Sequence, residues 1–213
     1  MKNVFIFLLV FGLYFFQFDI GYAKTVKLKK DPPAKTILKK DDSGLVVLSL
    51  YSNMHNYKIF LLKYDPKTGQ VINEGKVYRL KGPQNLIKGR NLKTELDHRD
   101  FVFLMEPGTY FFSSVQQKYN TTTNYLCVYN SMMFDVSAEE TNFLGDFFLD
   151  FNAAPPSAVQ MRKIPAGAEK AKILIQQQYP DLDYAFRTSN VEELSLPTEC
   201  NSSRRTTRVI VYP

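Results

Sequence analysis

The sequence predicts a mainly β protein, an antiparallel β-sandwich with one helix near its C-terminal end. Three observations support this fold class. Phe143, Phe147, Leu149 and Phe151 fall at odd positions of one segment, which is the side-chain period of a β-strand. Turn residues such as Glu106-Pro107-Gly108 separate the apolar runs, because proline presets φ and glycine accepts a positive φ. Helical spacing of apolar residues occurs convincingly in a single segment.

The predicted strands follow one another between residues 45 and 151. A continuous apolar run at 45–51 fits a buried first strand. Segments 57–64 and 71–80 flank Asp65–Gly69, which has proline and glycine at hairpin positions. After a long polar connection at 82–100, further strands are expected at 101–105, from 110 onward, at 125–136 and at 141–151.

The helix is predicted at 168–179, where five apolar residues share a face and Pro180 ends it. These five residues are Ala168, Ala171, Leu174, Ile175 and Tyr179. We expect this helix to lie against one sheet, and a terminal strand at 209–212 to pair with a sheet edge. The sequence therefore predicts a single domain from residue 44 to residue 213.

Residues 1–23 have the features of a cleavable export signal. Lys2 gives a short positive region, and the apolar core that follows at 4–16 is too short to span the ~30 Å of membrane hydrocarbon as a helix. Gly21 and Ala23 satisfy the small-x-small rule, which predicts cleavage after Ala23. An uncleaved N-terminal anchor is the alternative. We expect an exported protein, periplasmic or secreted, without a transmembrane span after signal removal.

Charge gives hypotheses about partners. The net charge is +6, and residues 24–43 contain seven lysines and Pro32-Pro33, which predicts a basic flexible linker. This linker is either an electrostatic arm for an anionic envelope polymer or lipid surface, or a plain spacer. Another envelope protein is the second partner that we consider. Nucleic acid is not expected, since no binding motif for it is present in the sequence.

Cys127 and Cys200 are the two cysteines of the chain. In an oxidising compartment such a pair is often bridged, and closing this long loop would contribute roughly 4 kcal/mol in the chain-entropy model. The alternative is a strand thiol at Cys127 and a loop thiol at Cys200 that do not meet. A metal site needs more ligands than this pair supplies.

The sequence offers little catalytic chemistry. The common nucleophile, phosphate-binding, zinc-hydrolase and dinucleotide motifs are absent from it, so we expect no catalytic, cofactor-binding or metal-binding residues. One alternative is the predicted loop that contains Asp97, His98 and Asp100, since a histidine flanked by carboxylates can serve as a general base or a metal ligand. An exposed polar loop explains the same residues, because sequence neighbours in an extended chain point in different directions.

Four segments resemble uncharacterised bacterial envelope proteins. They are Gly44–Leu50 (GLVVLSL), Glu106–Tyr110 (EPGTY), Phe134–Asp146 (FDVSAEETNFLGD) and Gln178–Pro180 (QYP). The sandwich of those proteins is similar to transthyretin-like, or carboxypeptidase-regulatory-like, modules, which are sandwiches of the immunoglobulin type. The resemblance implies a fold and an envelope location, and it carries no catalytic residues. The chain departs from the pattern at Glu139-Glu140, where a glycine would normally make the turn.

Two functional hypotheses follow. The first is a non-enzymatic envelope or secreted module that binds a partner or serves as a structural adaptor, motivated by five aromatic residues on strands with two apolar faces. These residues are Tyr110, Phe111, Phe112, Phe147 and Phe148. The second is a hydrolytic or metal-dependent enzyme at Asp97–Asp100, which requires His98 to converge with at least two acids or a cysteine in a cleft.

Overall fold

A computed structural model describes most of the chain between residues 24 and 194. The described residues are 24–28, 32, 42–54, 56–72, 76–82, 97–119, 122–152, 158–165 and 167–194. The predicted export signal at 1–23, Cys200 and the predicted strand at 209–212 therefore lie outside the described residues.

The described part of the chain forms thirteen strands and one helix. The strands are β1 (Lys24–Lys27), β2 (Gly44–Ser52), β3 (Tyr57–Asp65), β4 (Gln70–Ile72), β5 (Lys76–Lys81), β6 (Asp97–Met105), β7 (Gly108–Tyr119), β8 (Thr122–Tyr129), β9 (Met132–Val136), β10 (Glu140–Asp150), β11 (Ala158–Ile164), β12 (Ala185–Thr188) and β13 (Val191–Glu193). The helix is α1 (Ala168–Gln178). The prediction of a mainly β chain with one C-terminal helix is confirmed.

All thirteen strands belong to one continuous sheet with the order β1-β5-β3-β7-β8-β11-β10-β2-β6. The four short strands β4, β9, β12 and β13 pair beside this path. The sheet curls into a half-barrel and is not clearly the sandwich that the sequence predicted. The two halves are joined because β8 and β11 pair through residues 127–129 and 158–160, where a sandwich would leave two separate sheets.

The antiparallel prediction is also incomplete, because the centre of one half is parallel. Strand β2 pairs antiparallel with β6 on one side and parallel with β10 on the other. Seven of its nine residues are buried, so both of its faces are covered. This burial explains the continuous apolar run of the sequence, which is typical of a strand inside a parallel or mixed sheet.

The main core lies inside the curl of the sheet. Twenty-four buried residues from β2, β3 and β5 through β11 form it, so both halves contribute. Phe112 of β7 and Phe147 of β10 meet there with ring centroids 5.5 Å apart, although their strands do not pair. The predicted burial of alternating apolar side chains is therefore confirmed at the centre of the molecule.

The helix covers part of the outer face of the sheet. Ala171, Ile175 and Tyr179 pack on Leu45 and Phe143, together with apolar residues of the segment after the helix. On the other half, a smaller outer cluster formed by Phe60, Leu62, Val77 and Phe111 packs against Val71, Met133 and Leu194. Both halves of the sheet thus bury apolar residues on the outer face as well.

A β-bulge in β10 changes which residues face the core. The pairing with β2 shifts register between Phe143 and Gly145, and Gly145 has a φ of 110°. Leu144 therefore points into the main core with Phe147 and Leu149, whereas Phe143 faces the helix. The period-two prediction is correct after the bulge and wrong at Phe143, because one extra residue inverts the faces.

Part of the predicted linker at 24–43 is ordered. Residues 24–27 form β1, which pairs parallel with β5, and the amide of Leu28 donates to Arg79 O at 3.2 Å. The side chain of Leu28 packs against the main core. Thr25 and Val26 are β-branched and suit a strand, so local preference outweighs the surrounding lysines.

Side-chain contacts link β5 to β6, although these two strands do not pair. Lys76 Nζ lies 2.6 Å from Glu106 Oε1, and the Tyr78 hydroxyl donates to Glu106 Oε2 at 3.2 Å. At the other end, Arg99 Nη1 donates to the carbonyls of Lys81 and Gly82. The hydrogen bond from Lys76 holds the pKa of Glu106 below its usual value, and burial raises the pKa of Tyr78.

Candidate functional site

The predicted loop at Asp97–Asp100 is the first part of strand β6. It pairs antiparallel with β2, so that His98 lies opposite Tyr51 and Asp100 lies opposite Ser49. Because alternate residues of a strand share a face, His98 and Asp100 project on the same side of the sheet. The loop prediction is therefore wrong here, and the pairing with β2 is the reason.

His98 and Asp100 form a small cluster with their cross-strand neighbours. His98 Nε2 lies 3.0 Å from Asp100 Oδ1, and Ser49 Oγ donates to the same oxygen at 2.6 Å. The Tyr51 ring stacks on the imidazole with centroids 4.4 Å apart. Asp100 therefore orients both Ser49 and His98, which is the usual chemistry of a polar cross-strand pair.

This cluster meets the requirements of the enzyme hypothesis only in part. The structure brings one acid, Asp100, to His98, while the side chain of Asp97 lies outside the description. Among the described residues, no group of three or more histidine, cysteine, aspartate or glutamate side chains is placed to hold a metal ion. A histidine with one carboxylate partner can exchange protons, but by itself it defines no reaction.

The five aromatic residues that motivated the binding hypothesis are all buried. Tyr110, Phe112 and Phe147 lie in the main core, and Phe111 belongs to the outer cluster of its half of the sheet. Phe148 is 7% exposed, and the guanidinium of Arg162 covers its ring at 4.6 Å. An exposed patch built from these side chains is therefore ruled out.

Two other aromatic residues are exposed instead, and both belong to β8. Tyr125 is 38% exposed and Tyr129 is 50% exposed. Leu126 and Val128 between them point into the main core, so both tyrosines project from the outer face of the sheet. We call this surface the tyrosine face. It comprises Tyr125 and Tyr129 with their outer-face neighbours Gln116, Ser114, Cys127 and Gln160.

Hydrogen bonds fix one end of the tyrosine face. Lys58 Nζ donates to Gln116 Oε1 at 2.9 Å, and Gln116 Nε2 donates to the Tyr125 hydroxyl at 2.7 Å. These three residues lie on β3, β7 and β8 and are directly paired across the sheet. The amide holds the phenol in one position, and the phenol hydrogen remains oriented toward solvent-side partners.

Cys127 lies between the two tyrosines and is partly buried. It pairs with Ser114 of β7 on one side and with Ala158 of β11 on the other. Its predicted partner Cys200 lies outside the described residues. The disulfide and the alternative of two separate thiols both remain open.

The sequence analysis missed the tyrosine face because it treated 125–136 as one apolar run. The structure divides this run at Asn130, which has a φ of 55°, into β8 and β9. Within β8, Tyr125, Cys127 and Tyr129 alternate with the aliphatic Leu126 and Val128. That alternation is the signal that would have placed the two tyrosines on the side away from the core.

The described part of the chain contains one helix, α1, and it is too short and too polar to cross a membrane.

Comparison with known proteins gives one match. No protein-family profile matches the sequence, and no curated protein matches it. Among solved structures, the chain is similar to a crystal structure described as "a putative cell adhesion protein from Bacteroides ovatus ATCC 8483", with 10% sequence identity and a TM-score of 0.28. The match covers 58% of this chain and 44% of that chain, so this chain spans less than half of that protein. A likeness at this level carries no argument about function.

Proposed function

We propose that this protein is an exported, non-enzymatic binding module of a bacterial envelope or its surroundings, and that it contacts its partner through the tyrosine face. The observation that carries the proposal is the exposure of Tyr125 and Tyr129 on a strand inside the sheet, where every other large aromatic side chain of β7 and β10 is buried. Tyrosine is enriched at binding surfaces, because it combines a large apolar ring with a polar tip.

Export is supported by the leader-like sequence at 1–23 and by the pair of cysteines. The resemblance to transthyretin-like envelope modules is part of this proposal. It is supported by the Glu106–Tyr110 motif, which makes the tight connection between β6 and β7, and by Gly108 with a φ of 144°.

Two measurements test the proposal. The full chain is expressed in a bacterium, the cells are fractionated, and the N-terminus of the product is sequenced. We expect an extracytoplasmic product that begins at Lys24. An unprocessed cytoplasmic product would contradict the export part of the proposal.

The binding part is tested by co-sedimentation of the purified protein with isolated envelopes. The double variant Y125A/Y129A should sediment less than the wild type. The matched control is I173A, which truncates another exposed apolar residue, 52% exposed on α1, and should sediment like the wild type. Equal sedimentation of the tyrosine variant and the control would contradict the assignment of this face.

A further inference from the structure

We infer that the tyrosine face binds a neutral polysaccharide chain that runs along β8. This inference rests on the proposed function and adds the chemical class of the ligand. It starts from the geometry of the two exposed rings. Tyr125 and Tyr129 are four residues apart on one strand and one face, so their Cα atoms are separated by about 13 Å. A ligand that touches both must be extended in the strand direction.

The side chains around the two rings are polar and uncharged. Tyr125 lies opposite Gln116, Cys127 lies opposite Ser114, and Tyr129 lies opposite Gln160. An anionic ligand would have no cation directly beside either ring, because the amine of Lys58 is bonded to Gln116 one strand further away. The face therefore suits an uncharged ligand with many hydroxyl groups, which amides and phenols can bind as donors and as acceptors.

A protein partner fits this surface less well. Protein interfaces have a contiguous apolar centre, in which a few large side chains fill pockets and lose their water. Here the two rings are separated by the partly buried Cys127, and the adjacent Leu126 and Val128 face the opposite way into the core. Two isolated rings with hydrogen-bonding groups between them match a sugar chain, which offers apolar C–H faces at intervals and hydroxyl groups between those faces.

The test is native gel electrophoresis of the purified full chain through gels that contain one polysaccharide each. Neutral probes are dextran, laminarin, galactomannan and xyloglucan; anionic probes are dextran sulfate and alginate. We expect at least one neutral polysaccharide to retard the wild type, and Y129A and Y125A each to weaken its binding about tenfold. I173A should be retarded like the wild type.

Conservative variants separate a binding role from a structural one. Y129F keeps the ring and should retain most of the retardation, whereas Y129A should lose it. Q116A removes the amide that holds the Tyr125 hydroxyl and should weaken binding without removing either ring. Urea unfolding midpoints equal to that of the wild type show that each variant is folded.

Two results would overturn the inference. One is the absence of retardation by every neutral polysaccharide, and the other is retardation that Y125A and Y129A leave unchanged. Retardation by the anionic probes alone, lost in the tyrosine variants, would also overturn the neutral ligand class but would leave the tyrosine face as the binding surface. Envelope sedimentation that is insensitive to Y125A/Y129A would overturn the proposed face as well.

Discussion

Gly44, the first residue of β2, allows a close approach of two backbone segments. A Cβ atom at this position would lie 2.1 Å from Ser137 O and 2.7 Å from Asn142 Nδ2. Both neighbours belong to the turn between β9 and β10, which the Asn142 amide holds by hydrogen bonds to Ser137 and Glu140. We expect G44A to lower the free energy of unfolding by about 2 kcal/mol, because the backbone must shift to accept the methyl group.

Urea unfolding of G44A and G167A measures this effect. Gly167 precedes α1, and a Cβ there would meet its nearest neighbour, Lys170 Cβ, at 3.4 Å, which is ordinary contact. G167A should therefore unfold near the midpoint of the wild type. A G44A protein as stable as G167A would show that the turn after β9 yields easily.

Glu139 occupies the turn position where the resemblance predicted a glycine. Its φ is 55°, so the backbone adopts the left-handed conformation even though the residue has a side chain. The amide of Glu139 donates to Ser43 O at 3.1 Å, which ties the turn to the start of β2. Left-handed geometry is unfavourable for residues with a Cβ, by roughly 1–2 kcal/mol.

We expect E139G to raise the free energy of unfolding by about 0.5 kcal/mol, because relief of the backbone conformation exceeds the entropy that glycine adds to the unfolded chain. The measurement is the urea midpoint. E169G in the first turn of α1 is the control and should lower the midpoint, since glycine is a poor helix residue. A lower midpoint for E139G would mean that the Glu139 side chain has a stabilising contact of its own.

Single residues were predicted well where local geometry decides them. Asp65 accepts hydrogen bonds from the Lys67 amide and the Thr68 hydroxyl, and Gly69 has a φ of 70°, as expected of the predicted hairpin turn. The neighbours of His98 were not predictable in the same way. They come from β2, about fifty positions earlier in the chain, and sequence spacing does not encode that register.

The strand pair β5 and β6 illustrates how elements that do not pair can be joined by charge. Because Lys76 lowers the pKa of Glu106 in the folded state, the folded protein binds fewer protons there than the unfolded chain. The stabilisation is fully present above the ordinary glutamate pKa of 4.5 and is lost as the pH falls through the lower folded value. Both side chains are well exposed, at 40% and 46%, so we expect less than about 1 kcal/mol.

The measurement is the free energy of unfolding at pH 7 and at pH 3 for the wild type, E106Q and E169Q. E106Q should lose less stability between the two pH values than the wild type does. Glu169 forms a surface contact with Lys172 at 3.5 Å, so E169Q is the matched control and should follow the wild type. Identical pH dependence of all three proteins would show that the Lys76–Glu106 pair contributes nothing measurable.

At the level of elements, the sequence predicted the positions of most strands and the helix. Observed β2, β3 and β10 lie within a residue or two of the predicted segments, and α1 ends one residue before the predicted end. Two kinds of error remained. The bulge at Gly145 inverted the face of Phe143, and the pairing of β1 with β5 ordered residues that composition alone had assigned to a linker.

The molecule as a whole gives the predicted disulfide a plausible route. The described chain ends with Leu194, whose amide donates to Ser131 O at 2.8 Å, beside the end of β8. From there to Cys127 is about 13 Å along the strand, and six residues of extended chain span up to about 20 Å. Cys200 is therefore within reach of Cys127.

We expect Cys127 and Cys200 to be bridged in protein recovered from an oxidising compartment. Peptide mapping without reductant should identify the cross-linked peptides, and C127S/C200S should be less stable by roughly 4 kcal/mol at most. The control is the wild type unfolded in the presence of a reductant, which should match the double variant. Two alkylatable thiols in the native protein would contradict the bridge.

The architecture as a whole was the least predictable level. Alternation shows that a segment is a strand, and turns show which neighbours form hairpins, but neither specifies pairs between distant segments. The joining of β8 to β11 and the parallel pairing of β2 with β10 convert the expected sandwich into one curled sheet. The tyrosine face depends on these pairings, since they place Gln160 beside Tyr129.

The pairing of β2 also bears on how the chain folds. Its two partner strands, β6 and β10, are synthesised some fifty and one hundred residues after it. Contacts so distant in sequence slow folding, because the intervening loop must close before any of them stabilises the chain. A nascent chain with this topology remains in an unfolded, aggregation-prone condition for longer than a chain of consecutive hairpins. That delay keeps it in the extended form that a narrow translocation pore requires.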